Sequence, residues 1–214
     1  EYETAQMVAL GVKCLVGDQL HPSGAINPDT YASIAPAYRR IAKLEPYLEG
    51  ARQVSEIAIL SSEYFHPAGD RNNTSDDGAA QMLLELKHGF DVVDPSADFS
   101  RYRLVILPDN VPLDADLAGR LDAYVRDGGG ILFTGSSGIG SDGAFALPAG
   151  IALSDTPVTF NPSYMQVTAE LDAQMPSTPF VMYGVAQSVT ALDAEVLAEV
   201  VPSYFNRTYQ HFSS

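Results

Sequence analysis

The feature that most constrains this chain is the regular alternation of short apolar runs and amphipathic helical segments between Glu56 and Gly135. Ile57-Ala58-Ile59-Leu60-Ser61-Ser62 is too short and too continuously apolar for an amphipathic helix and reads as a buried strand. Ser75 to His88 follows with Ala79, Met82, Leu83 and Leu86 on one helical face and Gly89 placed to cap its end. Phe90-Asp91-Val92-Val93 and Leu104-Val105-Ile106-Leu107 are the next strands, the latter stopped by Pro108. Asp114 is a side-chain cap for a helix that turns Leu117, Leu121, Tyr124 and Val125 inward and closes at Gly128. Gly130 to Gly135 is the fourth strand. Strands that are apolar on both faces and separated by helices require a parallel sheet covered on both sides. The expectation is therefore an α/β, flavodoxin-like doubly wound and mainly parallel sheet, with right-handed crossovers.

The flanks differ in texture. Val8 to Val16 reads as a buried strand and Gly17 to Gly24 as a loop. Asn27-Pro28-Asp29 starts a helix, with Asn as cap, Pro in the first turn and an acid behind it; Pro36 is awkward within it and Glu45-Pro46 is expected to end it. Beyond Gly143 come Val158-Thr159-Phe160, Met165 to Thr168, Phe180 to Val185 and Glu195 to Val200, expected as additional strands, partly antiparallel and at the sheet edge.

Composition removes whole classes of function. Twelve Lys+Arg against 27 Asp+Glu leave a net charge of −15. Sequence-independent nucleic-acid binding needs a basic face, and so does an electrostatic anchor on anionic lipid, so neither nucleic acid nor membrane is an expected partner. A single cysteine, Cys14, leaves no internal disulfide and no cysteine-rich zinc site. It fits a reducing compartment, and with no charged and apolar leader in view the expected location is cytoplasmic. The first residue, Glu1, and the last four, His211 to Ser214, suggest that the chain is a piece of a larger protein.

In a doubly wound sheet the functional groups gather at the carboxyl ends of the strands. Glu63, Asn110 and Ser136 are the candidate binding residues there, after the first, third and fourth strands. Gly135-Ser136-Ser137-Gly138 misses the G-x-S-x-G spacing of a serine nucleophile by one residue, and the glycine-rich turns lack the Lys of a phosphate loop. Asp18 and His21, just after an apolar run, are the candidate catalytic pair if that run belongs to a (β/α)8 barrel, whose C-terminal loops face the active site. The four histidines are scattered without paired spacing, so no metal site and no cofactor are expected. Asn72-Asn73-Thr74 and Asn206-Arg207-Thr208 match the glycosylation sequon.

The stretch from Glu56 through Tyr124-Val125-Arg126-Asp127-Gly128-Gly129-Gly130-Ile131-Leu132-Phe133-Thr134-Gly135, with Leu107-Pro108-Asp109 between, resembles the trimerisation domain of bacterial beta-galactosidases. That domain is similar in fold to class I glutamine amidotransferases. The resemblance covers residues 54–140 and extends weakly to 202. Gly17 to Tyr31, followed by Glu45 to Ala51, resembles the last strand and helix of a glycoside-hydrolase-like barrel. It implies residues 1–53 as a barrel remnant, 54–202 as the trimerisation domain and 203–214 as a linker to a further region. The carboxylates of a retaining glycosidase lie on earlier barrel strands. Amidotransferases place a Cys nucleophile where this chain has Ser136, so glutaminase chemistry is not implied. The resemblance implies a non-catalytic oligomerisation domain of a glycoside hydrolase, self-associating as a homo-oligomer such as a trimer and packing on the parent's barrel. The alternatives are a hydrolase site at the rim, or a carbohydrate-binding module with Tyr64 or Tyr164 as a stacking platform.

Overall fold

The computed structural model describes residues 1–154, 162–171, 174–184 and 187–203. The chain divides into two compact units, Glu1–Val54 and Ser55–Ser214.

The second unit is built on strands β1 (Ile57–Leu60), β2 (Phe90–Val93), β3 (Leu104–Leu107) and β4 (Gly130–Phe133). They form one parallel sheet in the order β2-β1-β3-β4. The order reverses between β1 and β3, which is the doubly wound arrangement expected from the alternation. Its two faces are distinct because side chains alternate along each strand. One face presents Ala58, Leu60, Val105 and Leu107 to Leu117, Leu121 and Tyr124 of helix α4 (Ala115–Arg126), with Phe99 and Tyr102 completing this core. The other face presents Ile59 and Ile106 to Ala79 and Leu83 of helix α3 (Thr74–Glu85). Asp114 caps α4 as its position indicated, accepting from the Leu117 amide at 2.8 Å.

Helix α3 ends earlier than its pattern suggested. Its C-terminal turn is closed by the amides of Lys87 and His88, donating to Leu84 and Leu83 carbonyls. Lys87 takes the left-handed position (φ 62) that Gly89 was expected to serve. Arg120 on α4 donates to the carbonyls of Pro95 and Ala97 and lies 5.0 Å over the Phe99 ring. It ties the β2–β3 connection to the helix.

The remaining strands do not extend the edge of the parallel sheet. β5 (Ile151–Leu153) pairs antiparallel with β8 (Val189–Ala191). β6 (Ser163–Val167) pairs antiparallel with both β7 (Phe180–Met182) and β9 (Ala198–Val201). The antiparallel expectation holds, while β5 and β8 carried too little periodicity to be read. Val158 to Phe160 lies outside the described residues.

The first unit corrects the sequence reading. Residues expected as a strand from Val8 to Val16 instead end helix α1 (Tyr2–Ala9) and then run without regular structure. Gly11, at φ 75, donates to the Val8 carbonyl while Val12 donates to that of Met7. This is a glycine helix stop, not an interruption of a strand. A strand also needs a ladder partner. Among the described residues none pairs with Val12 to Val16, and Leu15 is 79% exposed.

Helix α2 (Pro28–Leu48) begins as predicted: the Asn27 side chain accepts from the amides of Asp29 and Thr30. It does not stop at Glu45-Pro46. Both Pro36 and Pro46 lie inside it, and the Glu49 amide still reaches the Glu45 carbonyl at 3.2 Å.

Candidate functional site

The carboxyl ends of β1, β3 and β4 come together at the strand-order reversal, and their loops carry most of the rim residues singled out by sequence. Just past β1, Ser62 is 1% exposed. Its amide and hydroxyl donate to Asp76 Oδ1 at 2.9 and 2.7 Å, and the Ser61 hydroxyl donates to Asp76 Oδ2 at 2.6 Å. Asp76 lies in the first turn of α3 and is itself buried. There it meets the positive end of the helix dipole as well as three donors. One carboxylate therefore fastens the exit of β1 to the start of α3.

A second cluster fastens β3 to β4. The Thr134 hydroxyl donates to Asp109 Oδ1 at 2.8 Å and accepts from the Asp109 amide at 3.0 Å. The Ser75 hydroxyl donates to Asp109 Oδ2 at 3.2 Å. The backbones approach so closely that only glycine fits opposite. A Cβ on Gly135, whose φ is +57, would lie 2.8 Å from both Cα and the carbonyl oxygen of Asp109. Asp109 also takes a positive φ of 39, a conformation that Asp tolerates better than most residues. Below this layer the Ser137 hydroxyl, fully buried, accepts from the Val111 amide at 2.9 Å.

Asn110 and Ser136 are brought into contact, as the topology implied. The Ser136 hydroxyl lies 3.0 Å from Asn110 Oδ1 and 3.0 Å from the Asp109 carbonyl oxygen. Both partners are neutral oxygens, and neither is a general base able to withdraw the proton for nucleophilic attack. Glu63 is exposed on a single 3-10 turn, Ser62–Phe65, next to Tyr64, which is 63% exposed. In the same loop His66 keeps a buried Nδ1 without a hydrogen-bond partner among the described residues.

Asp18 and His21 lie in the irregular loop of the first unit, and both are exposed. His21 Nδ1 lies 2.8 Å from the Ser23 hydroxyl and accepts from the Ser23 amide at 3.2 Å, so the imidazole is held by its own turn. Among the described residues no hydrogen bond or ion pair joins Asp18 to His21. No three His, Cys, Asp or Glu side chains among the described residues gather as metal ligands. No helix among them is long and apolar enough to cross a membrane.

Sequence reasoning missed the importance of Asp76. Its available signal was an acid in the first turn of a helix that packs beside the end of a strand. Asp109 directly precedes the candidate Asn110, yet its hydroxyl partners come from residues 34 and 25 positions away and no local pattern joins them.

The comparisons agree with this architecture. Residues 81–177 match the beta-galactosidase trimerisation domain. Alpha-L-fucosidase isoenzyme 2 from Paenibacillus thiaminolyticus superposes with a TM-score of 0.86 at 32% identity, over 100% of this chain and 33% of that one. The beta-galactosidase from Rahnella sp. R3 gives 0.66 at 21% identity, over 85% and 30%. That from Bacillus circulans sp. alkalophilus gives 0.64 at 17%, over 88% and 31%. At these identities the two galactosidases show a shared fold. The chain spans about a third of the length of these solved relatives. No curated protein matches it.

Proposed function

We propose, starting from the match of residues 81–177 to the beta-galactosidase trimerisation domain, that this chain is the non-catalytic self-association module of a larger glycoside hydrolase. The observation that carries the reading is how the rim spends its polar groups. Asp76 and Asp109, the two acids best placed for chemistry, are taken up by Ser61, Ser62, Ser75 and Thr134. Ser136 has two neutral oxygens as neighbours where the amidotransferase resemblance places a thiol nucleophile. The two rim acids that hold the loops together support a scaffold role for this end of the sheet.

On this reading residues 1–53 are the tail of the parent's catalytic barrel, 54–202 the association module and 203–214 a linker. The module packs against that barrel and against copies of itself. Asp18 and His21 then belong to the barrel's end of the parent and complete a site only there, whereas Glu63, Asn110 and Ser136 bind no substrate in the isolated chain. A cytoplasmic location fits the single thiol. For the parent's substrate, the fucosidase is the stronger guide, at 32% identity over the whole chain against 21% or less for the galactosidases named above. We therefore assign the parent to α-L-fucoside hydrolysis.

Nitrophenyl α-L-fucoside and β-D-galactoside, offered to this chain and to the full-length parent, test the assignment. Turnover by the parent on fucoside and none by this chain is the expected result. Turnover by this chain alone, abolished in Ser136→Ala, would overturn the scaffold reading.

A further inference from the structure

The parallel sheet has two edge strands, and they are chemically opposite. β2 carries Asp91, which accepts from Ser55 and Tyr102, and runs on to Asp94 and Asp98. β4 reads Gly-Ile-Leu-Phe, without a charge. Its hydrogen bonds to β3 are bracketed by the amides of Gly130 and Thr134, which donate to Arg103 and Leu107 carbonyls. Main-chain groups alternate sides along a strand, so Ile131 and Phe133 direct theirs away from β3. Among the described residues β4 has no second strand beside it.

The side chains around this edge are apolar on both faces. On the α3 face a row crosses the sheet in register, Val92–Ile59–Ile106–Leu132. Its centre is covered, and Leu132 at the β4 end is 41% exposed. On the α4 face a cavity of about 280 Å³ opens beside the strand, lined by Val125, Ile131, Phe133, Leu147 and Ile151 among others. Its acid, Asp122, is paired with Arg126 at 2.7 Å. The patch is therefore electrically neutral on a chain of net charge −15.

We infer that the edge of β4, unpaired among the described residues, with Leu132 on one face and the Val125–Phe133–Ile151 cavity on the other, is the surface on which a second copy of this chain seats. The charge argument selects it. Copies carrying −15 each repel, so contact is least opposed where the surface brings no net charge to the interface, its one lining acid, Asp122, being paired with Arg126. The β2 edge would set Asp91 and Asp94 against an acidic neighbour. An uncharged strand with outward-facing amides is also an open template for another chain, a liability unless it is covered. In a closed ring of three the contact is heterologous, so β4 of one copy meets a different surface of the next. This inference rests on the self-association reading and adds its location.

The test compares Leu132→Lys with Val92→Lys by sedimentation velocity across a wide concentration range. Each adds one positive charge at an exposed position of the same row, so both relieve net repulsion equally. The inference expects Leu132→Lys to raise the dissociation constant by about tenfold or more and Val92→Lys to leave it unchanged or lower. Equal behaviour of the two variants, with wild type associated, would overturn the inference and leave the association reading intact. A wild type that stays monomeric would overturn the association reading itself.

Hydrogen exchange on the unaltered chain gives a readout independent of variant folding. Protection of the Ile131 and Phe133 amides should rise with protein concentration. Protection already complete in the dilute monomer would mean that the chain covers its own edge, and would sink the proposal.

Discussion

Replacing Asp76 by alanine separates a structural rim from a functional one. The carboxylate accepts three hydrogen bonds, from the Ser62 amide and from the Ser61 and Ser62 hydroxyls. Ser61 is half-buried and can turn to water, whereas Ser62 is 1% exposed and cannot. The variant thus strands one buried amide and one buried hydroxyl, at about 1–3 kcal/mol each. It also removes an acid from the first turn of α3, for about 0.3–1 kcal/mol. Release of the carboxylate's own desolvation cost offsets part of this loss, leaving an expected destabilisation of about 3 kcal/mol.

Asp76→Asn keeps an oxygen for the Ser62 amide but turns an NH2 toward the hydroxyls. It should lose about half as much. Urea titration with tryptophan-free detection by far-ultraviolet circular dichroism reads the effect. A slope near 2 kcal/mol/M converts about 3 kcal/mol into a midpoint lower by roughly 1.5 M. A gain in stability in either variant would refute the reasoning, because groups held at a cost to stability are a mark of functional sites.

Three further outcomes follow from single positions. Gly135→Ala puts a methyl 2.8 Å from the Asp109 backbone at a positive φ, and should cost about 3 kcal/mol or prevent folding, read as loss of the cooperative thermal transition. Lys87→Gly relieves a left-handed non-glycine residue at the end of α3, and should raise stability by about 1 kcal/mol in the same urea assay. Tyr102 and Tyr124 have phenols pushed above their ordinary value, by burial first and, for Tyr102, by its hydrogen bond to Asp91. A raised pKa means their stabilisation is complete below pH 10 and lost as pH rises through the folded value. The thermal midpoint should therefore fall steeply above pH 10, and less steeply in Tyr124→Phe.

The sheet was legible because burial on both faces writes itself into contiguous apolar runs, and Leu104 to Leu107 occupies the same residues in sequence and structure. The cap at Asp114 was legible because its partner, Leu117, is three residues away. The Val8 to Val16 run misled because apolar character alone does not distinguish a strand from a helix end followed by exposed chain. Gly11 was the signal that separates them. The rim showed the same boundary between local and distant information. Asn110 and Ser136 were placed together by topology, but the two carboxylates that organise the loops act through partners from 14 to 34 residues away. Distances of that kind are set by the fold, after it forms.

The central claim is that this chain is built to associate, and sedimentation velocity of the unaltered chain tests it most directly. The account predicts a species of three times the 22.9 kDa chain mass that dissociates on dilution. A single species of 22.9 kDa throughout the concentration range would contradict it.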